Sequence, residues 1–279
     1  MSRRTKNSLK RREPVCFALR CLLYVVYGVP LLWIVLTSLK RQGDVLSSQA
    51  SIFFTPTLDA YRDALSNPQL FSSLKQSIII AAGAMLLCLL FSVPLAYALA
   101  KVNSKIVVLG LSLLIILQMI PQTANIIPLF TIYSRLGLLD NTFGVILADA
   151  IMLIPWATLL IRPFYAVIPD ALEEASAIDG AGRFRTFFMI VLPIVRNGIF
   201  TVGALIFLSA WGEMMYAINL FLTPAKYPMS ALIAQQTSSF GVDWPSMMAF
   251  ATISAIPVLI VYSVSYRQLR DGLTVGSVK

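Results

Sequence analysis

Six long apolar runs, separated by shorter polar segments, dominate the chain. A transmembrane helix needs about 20 predominantly apolar residues, and each run is long enough to supply one. The predicted spans cover approximately residues 15–36, 76–100, 106–134, 143–161, 194–222 and 246–266. The pattern therefore predicts an all-α integral membrane protein with six transmembrane helices.

Two of these runs invite a more specific expectation. The third is longer than a bilayer requires and contains Pro121 and Pro128, so part of it is expected to be kinked or to lie at the membrane interface. The fifth is predicted as one helix, in which Ser209, Glu213 and Tyr216 share a face. A carboxylate within a span is energetically costly, so Glu213 is expected to face protein or water rather than lipid.

Composition supports the membrane assignment. Hydrophobic residues make up 58% of the 279-residue chain and charged residues 13%, whereas soluble domains carry about 25% charged residues. The net charge of +9 would suggest a nucleic-acid partner in a soluble protein, but here it is explained by the excess of Lys and Arg in cytoplasmic loops. No nucleic-acid partner is therefore expected.

The positive charges also predict the orientation. Six spans place both termini on one side, and most of the 22 lysines and arginines fall there. The opposite side receives only Lys40, Arg41, Arg62, Lys75, Arg135 and Lys226. Both termini are thus predicted to be cytoplasmic. The expected organisation is a basic arm (1–14), a six-span domain (15–266) with a cytoplasmic loop (164–193), and a cytoplasmic tail (267–279).

The sequence contains few residues suited to catalysis, metal binding or nucleotide binding. The chain has no histidine, and its three cysteines match neither a metal site nor a disulfide framework. It also lacks a Gly-rich phosphate loop ending in Gly-Lys-Ser or Gly-Lys-Thr. We therefore expect no catalytic residue, no metal site and no bound cofactor, and ATP hydrolysis would require another polypeptide.

The predicted cytoplasmic loop holds four of the chain's thirteen acidic residues. A helix is expected to follow Pro169, with Asp170 as its cap and Glu173 reaching back to it. Ala171, Leu172, Ala175 and Ile178 are expected near one face of this helix, with Glu173 and Glu174 turned away from that face. Gly180 and Gly182 are expected to end the helix in a left-handed turn. Its small residues would let another backbone come close, as in a knob that fits a partner's groove.

The same loop carries a spaced motif: Glu174-Ala175-Ser176, then Gly180, then Ile190-Val191-Leu192-Pro193. It resembles the loop of ATP-binding-cassette importer permeases, which reads Glu-Ala-Ala, three residues, Gly, nine residues, Ile-x-Leu-Pro. The resemblance implies the type I importer permease fold and a loop that docks on ATPase subunits. Ser176 departs from the motif but is nearly isosteric with alanine. The implied coupling residues are Glu173, Glu174, Ala175, Ser176, Asp179, Gly180, Ala181 and Phe184.

The last residues narrow the resemblance. Residues 271–279 resemble the Gly-Leu-Thr-x-Gly-x-Val-Lys tail of the carbohydrate-uptake branch, in permeases similar to the smaller subunit of maltose transporters. In such permeases the tail inserts between the ATPase subunits, and its glycines suit an extended strand. The residues implied in this contact are Gly272, Leu273, Thr274 and Gly276. Further matching stretches are Pro56-Thr57-Leu58 with Tyr61, Ala96-Tyr97-Ala98-Leu99-Ala100, Gln118-Met119-Ile120-Pro121 with Ile127-Pro128-Leu129, and Leu136-Gly137-Leu138-Leu139-Asp140.

Several polar and aromatic residues within the spans are candidates for the pore or for substrate contact. They are Gln118, Gln122, Asn125, Ser209, Trp211, Glu213 and Tyr216. Hydrogen bonding between helices explains the polar ones equally well, and Trp211 and Tyr216 also suit interfacial anchoring. Asp149 is expected to be a polar anchor, because no second ionisable group is evident near it.

The expected function is that of a permease subunit in an ATP-driven importer of an oligosaccharide, disaccharide or polyol, in a bacterial or archaeal cell membrane. The resemblance implies a second homologous permease, two ATPase subunits that hold ATP and Mg, and an external sugar-binding protein. Residues 40–73 and 222–245 are the expected docking surface for that binding protein. Residues 57–65 within it should form a short helix with Leu58, Tyr61 and Leu65 on its face.

Three alternatives remain open at this stage. A glycerol-phosphate importer permease would share the same tail, although no Lys or Arg lies clearly in the middle of the pore-facing sequence. A proton-coupled secondary sugar transporter would have to use Asp149 or Glu213. A membrane-embedded enzyme would have few candidate catalytic groups, because the chain has no histidine and no clustered metal ligands.

Overall fold

A computed structural model describes residues 3–46, 54–102, 104–238 and 241–275 of the chain. Almost all of these residues are helical. The longer helices are α1 (Arg3–Ser38), α4 (Leu70–Lys101), α5 (Lys105–Gln118), α6 (Gln122–Leu136), α7 (Thr142–Ala166), α10 (Leu192–Gly212) and α13 (Trp244–Val275). The shorter ones are α2 (Gln42–Leu46), α3 (Asp59–Ser66), α8 (Asp170–Ile178), α9 (Arg183–Thr186), α11 (Met215–Leu220) and α12 (Met229–Ala234). A π-helical turn (Phe187–Val191), a 3-10 turn (Pro224–Lys226) and two antiparallel strands, β1 (Thr237–Ser238) and β2 (Gly241–Val242), complete the described elements.

The predicted set of spans is confirmed. Five helical segments are long and apolar enough to cross a membrane, and α5 and α6 together make a sixth span when they are counted as one. These two helices meet at 93°, and Pro121, the residue that precedes α6, stands in the break. Proline lacks a backbone N–H and disfavours a helical conformation at the residue before it, which explains why the run breaks here.

The prediction for the fifth run is wrong in its second half. Helix α10 ends at Gly212, Glu213 is extended with φ −66° and ψ 132°, and a separate helix, α11, begins at Met215. Ser209, Glu213 and Tyr216 therefore do not lie on one helical face. The break places the Glu213 carboxylate beside the free N–H groups at the start of α11.

The chain divides into two compact units. One comprises Met1–Asn67 and Ile233–Ala255, and the other Pro68–Leu232 and Ile256–Lys279. The second contains a core in which α4, α7 and α10 pack together around Ile161, Tyr165, Val191 and Ile206, all fully buried.

Close packing in this core depends on small side chains along α4. Its buried positions recur every three or four residues and include Ser77, Ala81, Ala84, Cys88, Ser92 and Ala96. Since lipid tails are as apolar as leucine, helices in a membrane associate through close van der Waals contact, and small residues allow their backbones to approach. Leucine and phenylalanine side chains on the outer faces remain exposed, as expected for surfaces in lipid.

In the first unit, the short helix α3 forms in the segment 57–65, where the sequence pattern predicted a helix. The predicted face is wrong: α3 buries Ala60 and Ala64, while Leu58 and Leu65 are exposed. The Ser38 hydroxyl lies 2.7 Å from the hydroxyl of Tyr61 and fixes α3 against the end of α1.

The tail adopts a different conformation from the one implied. Helix α13 continues to Val275, so Gly272, Leu273 and Thr274 are helical rather than extended. Gly276 lies outside the described residues.

Candidate coupling surface and central cavity

Helix α8, the first helix of the predicted coupling loop, is fastened to the end of α4 by Lys101. The Lys101 ammonium lies 2.7 Å from Asp170 Oδ1 and 3.0 Å from Glu173 Oε1, and it donates a hydrogen bond of 2.8 Å to the Ile168 carbonyl. Only 13% of the Lys101 side chain is exposed. The ion pair with Glu173, whose side chain is 22% exposed, is screened less than a pair on an open surface, whereas Asp170 is 82% exposed and its pair is screened by solvent. The Glu173 pair and the hydrogen bond to Ile168 therefore hold α8 against α4.

A second contact strengthens this attachment. The Tyr97 hydroxyl donates a 2.7 Å hydrogen bond to Glu173 Oε2. The Tyr97 ring packs edge-on against Tyr165 of α7, with centroids 5.4 Å apart, and against Phe187, with centroids 5.0 Å apart. One carboxylate thus links α8 to an aromatic cluster shared by α4, α7 and the π-helical turn.

Ser176 fastens α8 to α9. Its hydroxyl lies 2.7 Å from the hydroxyl of Thr186 and donates a 2.9 Å hydrogen bond to the Glu173 carbonyl. Both side chains are buried. The serine that departs from the family motif is therefore an internal contact and does not belong to the outer surface.

Several local predictions for this loop need correction. Asp170 does not cap α8; it is the first helical residue, and its carboxylate pairs with Lys101. Glu173 does not share the orientation of Glu174: it points towards α4, where it contacts Tyr97 and Lys101, whereas Glu174 is exposed. Gly180 has φ +82° and ends α8 in a left-handed turn as predicted, whereas Gly182 has φ −69° and precedes α9.

The outer surface of the loop combines exposed apolar side chains with charged ones. Ile178 is 86% exposed and Phe184 is 83% exposed. Glu174, Ala175 and Asp179 are also exposed. Eight coupling residues were predicted from the sequence. In the structure five of them are exposed, Ala181 is half-buried, and Glu173 and Ser176 point inwards and hold α8 in place. We call Glu174, Ala175, Ile178, Asp179, Gly180 and Phe184 the coupling surface.

A cavity of about 530 Å³ lies where α5 and α6 meet α7 and the end of α10. It is lined by Gln118, Ile120, Pro121, Gln122, Asp149, Met152, Leu153, Ser209, Ala210, Gly212 and Glu213. Two breaks form it, the bend between α5 and α6 and the interruption after α10, because broken helices free polar groups to face an interior space. We call it the central cavity.

Glu213 serves as the cap of α11. Its carboxylate accepts hydrogen bonds from the N–H groups of Tyr216 (2.9 and 3.1 Å) and Ala217 (3.4 Å), which satisfies donors at the start of that helix. The Gln122 amide donates a further bond of 3.2 Å to Glu213. The same carboxyl group therefore lines the central cavity while it stabilises the turn that makes the cavity.

Asp149 shares the central cavity with Glu213, so the expectation that it lacks an ionisable neighbour is wrong. Only 2% of Asp149 is exposed, and among the described residues neither carboxylate oxygen has a hydrogen-bond partner. An acidic group buried in this way is costly unless a donor reaches it. Sequence reasoning left Asp149 out of the site because the break that brings Glu213 to it could not be read from the hydrophobic run.

The other predicted pore residues lie elsewhere. Asn125 and Tyr216 line a second cavity of about 210 Å³, with Met152 between the two spaces. Trp211 is buried and stacks on Phe207, with ring centroids 5.9 Å apart. Trp211 and Tyr216 are both buried within the protein, so interfacial anchoring does not describe them.

The loop between α6 and α7 is fixed by Asp140. Its carboxylate accepts hydrogen bonds from the N–H groups of Leu222 (3.1 Å) and Thr223 (3.0 Å), and it pairs with Lys226 Nζ at 2.7 Å. These contacts lower the pKa of Asp140 to about 2, above all through the hydrogen bond from the Lys226 ammonium.

Gln42 joins the segments predicted to dock a binding protein. Its amide donates to the Val242 carbonyl at 2.7 Å and accepts from the Trp244 N–H at 3.2 Å, within the first unit. Residues from both predicted docking segments thus meet in one place. Among the described residues, no group of three or more His, Cys, Asp or Glu side chains could hold a metal ion.

Comparisons with known proteins agree with this architecture. Residues 92–275 match the family described as "Binding-protein-dependent transport system inner membrane component". The chain is 33% identical to the sulfoquinovosyl glycerol transport system permease protein SmoH of Agrobacterium fabrum, over 96% of this chain and 94% of the relative. It is 31% identical to the trehalose transport system permease protein SugB of Mycobacterium tuberculosis, over 96% and 98% of the two chains.

The fold is also found among solved structures. A chain of a bacterial ABC transporter involved in the import of alginate superposes with a TM-score of 0.76, at 24% identity and with coverage of 96% of this chain and 98% of that one. Together with the family match over most of the sequence, these findings show that the chain belongs to the binding-protein-dependent transport system inner membrane components, and that it has the fold of an ABC importer permease.

Proposed function

We propose that this chain is the permease subunit of an ATP-driven sugar importer, in which it forms half of the translocation pore beside a second homologous permease. Two ATPase subunits would bind ATP and Mg on the cytoplasmic side, and an external binding protein would deliver an oligosaccharide, disaccharide or polyol. The chain itself would carry out no covalent chemistry. Both termini would be cytoplasmic, as the distribution of lysine and arginine predicts.

The sugar assignment is supported by the relatives and by the tail. The similar permeases are named for transport of sulfoquinovosyl glycerol, trehalose and, at 27% identity, diacetylchitobiose in Streptomyces coelicolor. A glycerol-phosphate importer is disfavoured because, among the described residues, no lysine or arginine lines the central cavity. Membership of a binding-protein-dependent family argues against a proton-coupled secondary transporter.

The observation that carries the proposal is an apolar coupling surface on a firmly attached support. Ile178 and Phe184 are almost fully exposed, whereas the same segment is tied to α4 through Lys101 and to the aromatic cluster through Glu173. Exposed apolar side chains beside anchored ones are typical of a protein-binding site. The side chains of Glu174 and Asp179 would surround this apolar centre with charge.

The attachment suggests how force reaches the pore. When the ATPase subunits close, they would displace α8, and Lys101 would carry that displacement into α4. Tyr97, Tyr165 and Phe187 would carry it into α7 and the start of α10. Since packed helices shift as units rather than deform continuously, the chain would alternate between inward-facing and outward-facing states.

Contacts with the external binding protein and further contacts with the ATPase subunits are proposed from the positions of the segments in the chain. Residues 40–73 and 222–245, which Gln42 joins in part, would dock the external binding protein. Gly272, Leu273, Thr274 and Gly276 would approach the ATPase subunits from the end of α13.

The test replaces Ile178 and Phe184 together by aspartate in the complete complex. Each is a candidate anchor worth about 2 kcal/mol or more in an interface, so ATP-driven uptake should fall at least about tenfold. The yield of the chain in membranes should stay unchanged while copurification of the ATPase falls. The matched control replaces both residues by leucine, which keeps the apolar surface and should retain most uptake. Normal ATPase recovery and uptake in the aspartate variant would refute the assigned role of the coupling surface.

A further inference from the structure

A cavity of about 620 Å³ lies within the second unit, between α4, α10 and the part of α13 that follows Pro257. Its walls are apolar side chains from all three helices, such as Met85, Leu89, Phe200, Ala204, Ile260 and Val264. Among the described residues that line it, only Arg196 and Ser265 are polar. Ile260 and Val264 are 58% and 65% exposed, so the cavity is open to the lipid side of the protein. We call it the outer groove.

The packing of the three helices explains the groove. Gly203 brings α10 against α4, because a Cβ there would lie only 3.2 Å from Leu89 Cδ1. Val258 and Val261 of α13 still pack against the buried cluster that α4 and α10 share. One turn later, Val264 lines the groove and is mostly exposed. Two helices that touch and a third that packs on them over a short stretch leave an apolar slot between them.

The length of the groove matches one leaflet of a bilayer. Arg196 and Phe207 lie eleven residues apart on α10 and both line the groove, which corresponds to about 16 Å along the helix. The hydrocarbon core of a bilayer is about 30 Å thick, so the groove covers about half of it. A transmembrane helix of another subunit would need a contact along most of the bilayer. An acyl chain, by contrast, extends from the headgroup to the midplane, and the groove has that length.

Arg196 places a positive charge at one end of the groove. It lies inside the candidate span Arg183–Gly212, and within the part of the chain that the structure describes it has no ion pair or hydrogen bond. A charged side chain within a span is costly without a partner, and a long one near the end of a span extends to the interface. The guanidinium group binds phosphate oxygens through two parallel hydrogen bonds. A lipid phosphate is the anion that occurs at this depth.

The surroundings of Arg196 favour a lipid with a net negative charge. The described lining contains no aspartate or glutamate, so the cationic amine of a zwitterionic headgroup would find no acceptor and would be repelled by the guanidinium group. Consecutive spans run in opposite directions, so the start of α10 and the end of the span Trp244–Tyr266 lie at the same membrane face. The distribution of lysine and arginine predicts that this face is cytoplasmic.

We propose that the outer groove binds one anionic glycerophospholipid of the cytoplasmic leaflet, with an acyl chain between α10 and α13 and the phosphate on Arg196. The proposal goes beyond the sugar-import function and takes from it only the orientation of the chain. The lipid fills the slot that the three helices leave open and supports α13 where that helix leaves the membrane.

The test is photocrosslinking of the assembled complex in vesicles of phosphatidylethanolamine. The vesicles contain a trace of phosphatidylglycerol or of phosphatidylethanolamine that carries the same diazirine in the middle of one acyl chain, and mass spectrometry identifies the labelled residues. Labelling of Met85, Leu89 and Ile260 is compared with that of Leu109 and Leu113, exposed residues of α5 outside the groove. Phosphatidylglycerol should be favoured at the groove at least about fivefold over this reference, as expected for one basic residue beside an anionic lipid.

Arg196→Gln should lower this preference at least about threefold, because it removes the charge and keeps a polar side chain of similar reach. Both probes should still label the groove, since the acyl-chain contacts remain. The matched control is Arg185→Gln, which removes an exposed arginine of α9 on the same predicted side and should leave the preference unchanged. Equal labelling by the two probes in the parent complex, or a preference that survives Arg196→Gln, would overturn the proposal.

A second variant examines the acyl-chain site without changing a charge. Ala82→Phe fills the end of the groove away from Arg196 and should reduce labelling by both probes at least about threefold, with the yield of the complex as the check on folding. Absence of labelling in the parent complex would mean that another subunit covers the groove, which would also refute the proposal. Labelling requires neither ATP nor sugar, so a failure of ATP-driven sugar uptake would count against the proposed function alone.

Discussion

The coupling segment and the central cavity differ in which of their side chains, acidic or apolar, have partners inside the protein. At the coupling segment, Glu173 is paired with Lys101 and bonded to Tyr97, while Ile178 and Phe184 face outwards. In the central cavity, Leu153 and Ala210 pack against buried helices, and among the described residues the carboxyl group of Asp149 has no hydrogen-bond partner. The side chains without an internal contact are thus apolar at the coupling segment, whereas in the central cavity the group without a hydrogen-bond partner among the described residues is polar.

This difference matches two kinds of partner. A protein surface is recognised largely through apolar and aromatic anchors held by a rigid support, so internal ion pairs that stiffen α8 favour docking. A hydrophilic solute is recognised through hydrogen bonds, and Gln118, Gln122 and Ser209 are the polar side chains of the central cavity that can form them.

The largest effect is expected from Lys101→Met, at the attachment of α8 to α4. The change removes two ion pairs and leaves Glu173 without its cation; hydrogen bonds to charged groups contribute about 1.5–3 kcal/mol each. Helix α8 should detach from α4, so ATP-driven uptake should fall at least about tenfold while the ATPase subunits still bind. Uptake and ATP hydrolysis are measured on the same reconstituted complex.

The matched control for this variant is Lys105→Met, which removes an exposed lysine at the start of α5 and should leave uptake unchanged. Normal uptake in Lys101→Met would show that the anchor is dispensable and that force reaches the pore by another route.

An intermediate effect is expected from Ser176→Ala, which tests whether Ser176 holds α8 in place without belonging to the coupling surface. The change restores the alanine of the family motif but leaves the Thr186 hydroxyl buried without its partner, a loss of about 1 kcal/mol. Amide hydrogen exchange in α8 and α9 should accelerate about fivefold, with ATPase binding retained. Ser112→Ala, at an exposed serine of α5, is the control. Unchanged exchange in α8 would place Ser176 outside the set of anchors.

The smallest effect concerns Asp140, a carboxylate whose hydrogen bonds are supplied by its own chain and which therefore contrasts with Asp149. Its pKa falls from 3.8 to about 2 on folding, so the folded state binds fewer protons than the unfolded state in that interval. The resulting stabilisation is present above about pH 4 and is lost as the pH falls towards 2. Lys226→Met should raise the pKa of Asp140 and diminish this pH dependence. The melting temperature of the complex between pH 5 and pH 3 measures it, and an identical slope in both proteins would contradict the assignment.

Much of the fold was predictable because span length is a local property. Runs of apolar residues identified the spans, and Pro121 correctly indicated the break in the third. Gly180 was predicted to end α8 because a left-handed turn there favours glycine, and its φ of +82° agrees.

The candidate site was less predictable, because it depends on contacts between distant residues. Nothing near Glu173 indicates that Tyr97 and Lys101 will satisfy it, although both lie in or beside a stretch shared with the family. The end of α10 at Gly212 was hidden within an unbroken apolar run. Its consequence, the meeting of Asp149 and Glu213 in one cavity, therefore escaped sequence reasoning.

The sequence by itself determined the membrane class, the number of spans, the position of the loop motif and the resemblance to importer permeases, since these follow from hydrophobicity and residue spacing along the chain. Only the tertiary structure decided which carboxylates are paired and which are buried without a hydrogen-bond partner among the described residues. Lys101 and Asp170 are 69 residues apart in the chain and in contact in the fold. The state of a buried charge is set by its neighbours in space, and the packing of α4, α7 and α10 chooses those neighbours.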